Sequence, residues 1–190
     1  AKPFSTRCTD CLPRDATCFS DSSGYPLPVH IRDTTVEDLP DILDIHNDAV
    51  ANTTAIWDEE QVDLADRTAW FEGRIAAGYP VLTAEVDGRV AGYASYGQWR
   101  VKSGYRHSVE HSVYIHRDFY RRGLASALLS ELIDRARGGD IHVLVGFIES
   151  ENTTSIALHE KFGFVRVGQM PEVGVKFGRW LDLTLMQLTL

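Results

Sequence analysis

Beyond Cys18 the chain has no cysteine: its three, Cys8, Cys11 and Cys18, crowd the first eighteen residues. The body of the protein therefore offers neither a disulfide nor a thiol nucleophile. Positive charge is also short. Nineteen Lys and Arg stand against 27 Asp and Glu, a formal net charge of −8. That excludes general nucleic-acid binding, which needs a basic footprint, but leaves room for basic partners such as polyamines. No apolar run reaches the roughly 20 residues of a membrane-spanning helix, and the N-terminus lacks the apolar stretch of a secretory signal. A cytoplasmic protein without membrane contact is expected. No cluster of His, Cys, Asp and Glu in the body of the chain has metal-ligand spacing, so no catalytic metal is expected. Cys8-x-x-Cys11 is half of a zinc signature, with Cys18 and the distant His30 as companions, whereas a full signature has two such pairs. Internal repeats are absent.

What is present suits one domain with a sizeable core: 190 residues, 44% apolar and 24% charged. Residues 1–28, rich in Pro, Ser, Asp and Thr, read as a flexible N-terminal extension, and residues 29–190 as the domain. Val29 to Arg32 alternates as a strand. Thr35, with Asp38 three residues on and Pro40 in the first turn, caps a helix whose Leu39, Ile42, Leu43, His46, Ala49 and Val50 share a face. Asp63 caps a second helix that Gly78 stops. Asp87-Gly88 joins two strands, Val81–Val86 and Val90–Tyr96, as a hairpin. Ser108 to Ile115 is a strand, Gly123 opens a helix that Gly138-Gly139 ends, and Ile141 to Phe147 is a strand covered on both faces. A short helix over Thr153–Lys161 and strands over Phe164–Val167 and Trp180–Leu190 complete a mixed α/β sheet with helices on both faces.

Chemistry concentrates between Glu110 and Glu131. A strand leads into a short basic turn, Arg117, Arg121 and Arg122, and then Gly123-Leu124-Ala125 opens a helix. A helix N-terminus exposes unpaired N–H groups and partial positive charge. Small residues there let a ligand approach the backbone, so the turn suits a di-anion such as a pyrophosphate. Glu110 lies on the strand entering the turn, where a carboxylate serves as a base. An anion cradle beside a strand-borne acid points to group transfer from a nucleotide-like donor.

This order of elements resembles the GNAT N-acetyltransferase fold over about Val29 to Leu190. The family's acetyl-CoA loop, Gln/Arg-x-x-Gly-x-Gly/Ala, is matched by Tyr120-Arg121-Arg122-Gly123-Leu124-Ala125, with Tyr120 departing from the pattern. Asn152, followed by a helix ending at Gly163-Phe164, is a second point of likeness. Asn52–Trp57, Glu110–Tyr114 and Lys176–Trp180 resemble the phosphinothricin and methionine sulfoximine acetyltransferases, which act on the α-amine of small L-amino acids or their analogues.

The resemblance implies a mostly antiparallel seven-stranded GNAT sheet, acetyl-CoA as co-substrate and a homodimer joined through the sheet edge or the C-terminal strand. It implies Glu110 as general base, and His159 as the acid for the departing thiolate or as a substrate-positioning group. Val113, Tyr114 and Ile115 would offer backbone groups to the pantetheine arm, with the Val113 amide as oxyanion donor. Arg121, Arg122, Gly123, Leu124, Ala125 and Ser126 would cradle the pyrophosphate, and Asn152 would bond the pantetheine. Arg100, Val101, Lys102, Glu110, His111 and Ser112 would line the amino-acid pocket, with Arg100 the better partner for a substrate carboxylate. Other readings of the residues stand beside these. Glu110 could pair with Arg106 or His111, Asn152 could be only a helix N-cap, and the acceptor could be a polyamine or a protein N-terminus. A non-catalytic acetyl-CoA-binding module is a further alternative.

Overall fold

The computed structural model describes residues 18–20 and 26–190, with side chains from Val29 onward. Of the expected extension, Cys8 and Cys11 lie outside the described residues. Strand β1 (Cys18–Ser20) pairs antiparallel with the start of β2 (Pro26–Asp33). The chain then runs α1 (Leu39–Asn52), α2 (Leu64–Ala76), β3 (Val81–Val86), β4 (Arg89–Gln98), β5 (Ser108–Ile115), α3 (Leu124–Arg137), β6 (Val143–Glu149), α4 (Thr153–Lys161), β7 (Val165–Lys176) and β8 (Arg179–Thr189). Strands β2 to β8 form the seven-stranded mixed sheet, with β1 added at one edge, in the order β1-β2-β3-β4-β5-β6-β8-β7. Every neighbouring pair is antiparallel except β5 and β6.

Local chemistry fixes the element ends. Thr35 N–H donates to Asp38 Oδ2 at 2.8 Å, half of a capping box, and the same carboxylate takes two bonds from Arg32 (2.6 and 2.8 Å). Asp63 Oδ1 accepts from Asp66 N–H at 2.9 Å and starts α2. Asp87 and Gly88 both take positive φ (51° and 72°), as a two-residue hairpin turn requires.

Helices cover both faces. On one, Leu124, Leu128, Leu129 and Leu132 of α3 pack on Leu82, Ala84, Ala94 and Val109. On the other, Leu39, Ile42 and Ile45 of α1 and Phe71 of α2 pack on Val81, Val90 and Tyr93. Alternation along β3 divides its side chains between these cores.

Two strand expectations change. The strand at Phe164–Val167 runs on to Lys176, with register shifts between Arg166 and Gly168 and between Met170 and Gly174. Pro171 and Gly174 hide this continuation in sequence, and Glu172 takes a positive φ (50°) in the irregular stretch between them. The strand turns back at Phe177-Gly178, again with both φ positive. The C-terminal strand β8 is interior, paired on both sides, so β7 forms the edge opposite β1. Trp57 lies against Gly174, where a Cβ would overlap its ring. The buried Lys176 ammonium donates to the Ile56 carbonyl, so the loop after α1 is fastened to β7 from both sides.

Candidate active site

The ladder between β5 and β6 has three rungs, Ser108 with Val143, Val109 with Leu144 and Glu110 with Val145, and then ends. Beyond Glu110, β5 is paired with β4 alone, as far as Ile115. His116 N–H bonds Ala91 O of β4, and Val143 N–H bonds His107 O. Because direction alternates along a strand, the last rung uses the His111 N–H, and the C=O of His111 with the N–H and C=O groups of Val113 and Ile115 face the opening. The sheet therefore presents a short unpaired backbone edge headed by Glu110, a site for an extended ligand to add as a strand. It includes the Val113 and Ile115 amides; Tyr114 instead bonds back to β4.

At the far end of β5 the chain makes a 3-10 turn over Arg117–Phe119 and then bends through Arg121 (φ 62°) and Gly123 (φ 73°). Ala127 N–H bonds Gly123 O at 3.1 Å, and the N–H groups of Leu124, Ala125 and Ser126 precede it in the first turn, where no helical acceptor exists. Successive amides in such a bend form a concave anion nest. The Arg122 guanidinium lies over the Phe119 ring at 5.0 Å, held beside the nest. Arg121 is exposed, as is Tyr120, which stands where the pattern has Gln or Arg.

Glu110 keeps an exposed face, yet the walls around it raise its pKa: partial burial pushes it up, and Arg74 and then Arg100 pull it back. Arg100 is exposed beside Trp99, its guanidinium 5.2 Å from that ring, and Val101 is 91% exposed. Arg100, Val101 and Lys102 thus form an open mouth rather than a closed wall. Ser112 is half-buried one step along the Glu110 face. The Tyr114 ring lies further along that face, between the α1 and α2 side chains, and its phenol is pushed up to about 12 by burial and by Glu110.

His111 departs from expectation. Alternation turns its side chain to the other face, where it is fully enclosed and cannot line the pocket with Glu110. Its Nδ1 is 2.9 Å from Val145 O, the carbonyl at the last rung of the β5–β6 ladder. Its Nε2 is 2.9 Å from Nε2 of His159, whose Nδ1 is 2.7 Å from Ser155 O. A Cβ on Gly146 would press on His111 at 3.0 Å, so this glycine makes room for the ring. Both nitrogens of His159 are engaged. Asn152 acts as the α4 N-cap, its Oδ1 accepting from Ser155 N–H at 3.1 Å, which leaves its amide NH2 for a ligand.

Sequence reading missed Arg74, which comes from the last turn of α2 and lies against Gly97. The expected strand stops at Tyr96; β4 runs on to Gln98, so Gly97 falls inside it, where a glycine marks close approach of another group. Among the described residues no three His, Cys, Asp or Glu side chains converge as metal ligands, and no helix is long and apolar enough to cross a membrane. A cavity of about 320 Å³ lies at the end of β6, between Glu149–Glu151 and Arg179–Asp182.

Comparison with known proteins agrees with this architecture. The chain is 59% identical over 161 residues to an L-methionine sulfoximine/L-methionine sulfone acetyltransferase of Pseudomonas paraeruginosa, covering 84% of this chain and 94% of that one. It is 41% identical over 152 residues to a phosphinothricin N-acetyltransferase of Alcaligenes faecalis, covering 80% and 77%. Among solved structures, a ribosomal-protein-alanine N-acetyltransferase from Brucella melitensis superposes with a TM-score of 0.84 at 52% identity, covering 85% and 99%. The yncA acetyltransferase of Salmonella typhimurium, solved with acetyl-CoA, gives 0.84 at 52%, covering 85% and 93%. Residues 42–164 match the model of the acetyltransferase (GNAT) family, and the chain belongs to that family.

Proposed function

We propose that the protein transfers acetyl from acetyl-CoA to the α-amine of small L-amino acids or analogues of the methionine sulfoximine, methionine sulfone or phosphinothricin kind, with Glu110 as general base. The observation that carries this reading is the end of the β5–β6 ladder at Glu110. One carboxylate heads an open backbone edge that leads straight to the anion nest of α3. The two relatives named for these acceptors support the choice of substrate.

The residues present fit such a donor. Val113 and Ile115 offer backbone groups to a pantetheine arm, and the nest from Arg121 to Ser126 offers amides and two guanidinium groups to a pyrophosphate. Amines are mostly protonated at neutral pH, so the acceptor must first lose a proton, and Glu110 takes it directly or through water. The free amine then attacks the thioester carbonyl, the Val113 N–H steadies the resulting oxyanion, and the C–S bond breaks as the nitrogen gives up its second proton, which passes to the departing thiolate directly or through water. We assign His159 to positioning rather than to protonating that thiolate, because neither of its nitrogens is free. Together with His111 it holds α4 against the parted strands.

The test is a thiol-release assay with acetyl-CoA across methionine sulfoximine, methionine sulfone, phosphinothricin and spermidine. Turnover of the amino-acid analogues without turnover of spermidine is expected. Turnover of spermidine alone would overturn the acceptor and keep the donor site. The Brucella relative's name points to a protein N-terminal alanine as a second acceptor class, so an Ala-initiated peptide belongs in the same panel.

We also propose a homodimer through β7. It is one edge of the sheet, and Val165, Val167, Met170, Val173 and Val175 along it are each at least 42% exposed. Edge strands left apolar and uncovered favour pairing. Light scattering should give about twice the 21.3 kDa of one chain; a mass near that of one chain would remove the proposal.

A further inference from the structure

Arg74 is the least explained charge near the site. It projects from the last turn of α2, and its guanidinium occupies the place where a side chain at residue 97 would stand: a Cβ on Gly97 would overlap it. Its Nε is buried without a hydrogen-bond partner. Among the described residues the side chain makes no ion pair, whereas eight other arginines do. A half-buried cation without a counter-ion is costly unless something else supplies the negative charge.

Its position says what that something is. Gly97 is the cross-strand partner of Glu110, and directly opposed side chains on one sheet face stand about 5 Å apart. The guanidinium, in place of a Gly97 side chain, is therefore a neighbour of Glu110. The two act on each other electrostatically, Arg74 being the larger of the two cationic influences on that carboxyl, yet they do not form a salt bridge. In an α-amino acid the carboxylate and the amine share one carbon. A base that takes the amine proton needs a cation beside it, not on it, to receive the carboxylate.

We infer that Arg74 is the seat of the acceptor's α-carboxylate and a specificity-determining residue, with exposed Arg100 at the mouth guiding the anion inward rather than holding it. This rests on the reading that the acceptor is an α-amino acid. A guanidinium suits the role because its fork matches a carboxylate with two parallel bonds. Gly97 then has a reason to be glycine beyond backbone freedom: it is the slot through which the cation reaches the site.

The experiment compares L-methionine sulfone with 3-(methylsulfonyl)propan-1-amine, the same acceptor without its carboxylate. Each is measured by kcat/KM, or by its inhibition constant where turnover is too slow. In Arg74→Gln the value for methionine sulfone should fall about 10²-fold, while the carboxylate-free amine moves little and the KM for acetyl-CoA stays put. Gly97→Ala keeps the charge but fills the slot. It should reproduce the selective loss with little change in Tm, since only the flexible end of Arg74 has to move. Equal losses for both acceptors in Arg74→Gln would overturn the inference and leave Arg74 as a partner of Glu110 or of the fold. So would a selective loss in Arg100→Gln that Arg74→Gln lacks. Failure of the wild-type protein to accept any α-amino acid would instead overturn the reading beneath it, whatever the variants do.

Discussion

Glu110→Gln should lower kcat for the amino-acid acceptor by about 10²–10⁴-fold, the usual worth of a positioned general base, and leave acetyl-CoA binding unchanged in calorimetry. The amide has nearly the shape of the carboxylate and cannot accept the ammonium proton. Nothing in the donor nest depends on it, because the nest is built from backbone amides between Arg121 and Ser126. The pH profile supplies a second readout. A base works only when ionised, so kcat/KM should fall as pH drops through the Glu110 pKa. Partial burial raises that pKa against the opposing pull of Arg74 and Arg100. The acid limb should therefore lie above the ordinary carboxylate value of about 4.3, and in Arg74→Gln it should move higher still. A Gln variant that kept its rate would remove Glu110 from the chemistry. One that lost acetyl-CoA binding along with its rate would make Glu110 a structural carboxylate. A wild-type protein that bound acetyl-CoA and turned over no amine at all would favour the non-catalytic module.

Most of this site was legible because its parts obey local rules. The nest needs a small residue at positive φ opening a helix, and Gly123 announces it. The proposed base is a carboxylate on the strand before that turn, the position that Glu110 holds. What sequence could not show is which way strand residues face after a ladder ends. His111 and Glu110 are adjacent, and reading them as one pocket ignored the two-residue period of a strand, which sends them to opposite sides of the sheet. Arg74 was hidden for a different reason. It sits 36 residues from Glu110 on an amphipathic helix where an arginine ordinarily faces solvent, and only the missing side chain at Gly97 betrays its destination. The long β7 was obscured by its own irregularity, because two register shifts break the alternation that identifies a strand.

Acid should destabilise the fold well before its carboxylates are protonated. His46, His111 and His159 are all buried, and burial lowers each pKa, to about 4 for His46 and about 3 for His111. In the unfolded chain each titrates near 6.5. Below that pH the unfolded state binds protons that the native state refuses, so stability declines as pH falls towards the native values. His111 alone should cost about 2 kcal/mol between pH 8 and pH 5. The other two histidines act in the same direction, while Glu110, whose native pKa is raised, offsets part of the loss. Urea melts at pH 8 and pH 5 measure the difference, and His159→Gln should reduce it by that residue's share while the loss from His46 and His111 remains. The outcome bears on the histidine pair itself. Two carbonyls and one nitrogen-to-nitrogen contact call for three protons, and two neutral rings carry two. With no carboxylate among the groups acting on either ring, burial should keep the third proton out at neutral pH and admit it only in acid. A stability that stayed flat from pH 8 to pH 5 would mean the opposite: that the pair already shares its third proton, and that a cation lies buried beneath the parted strands.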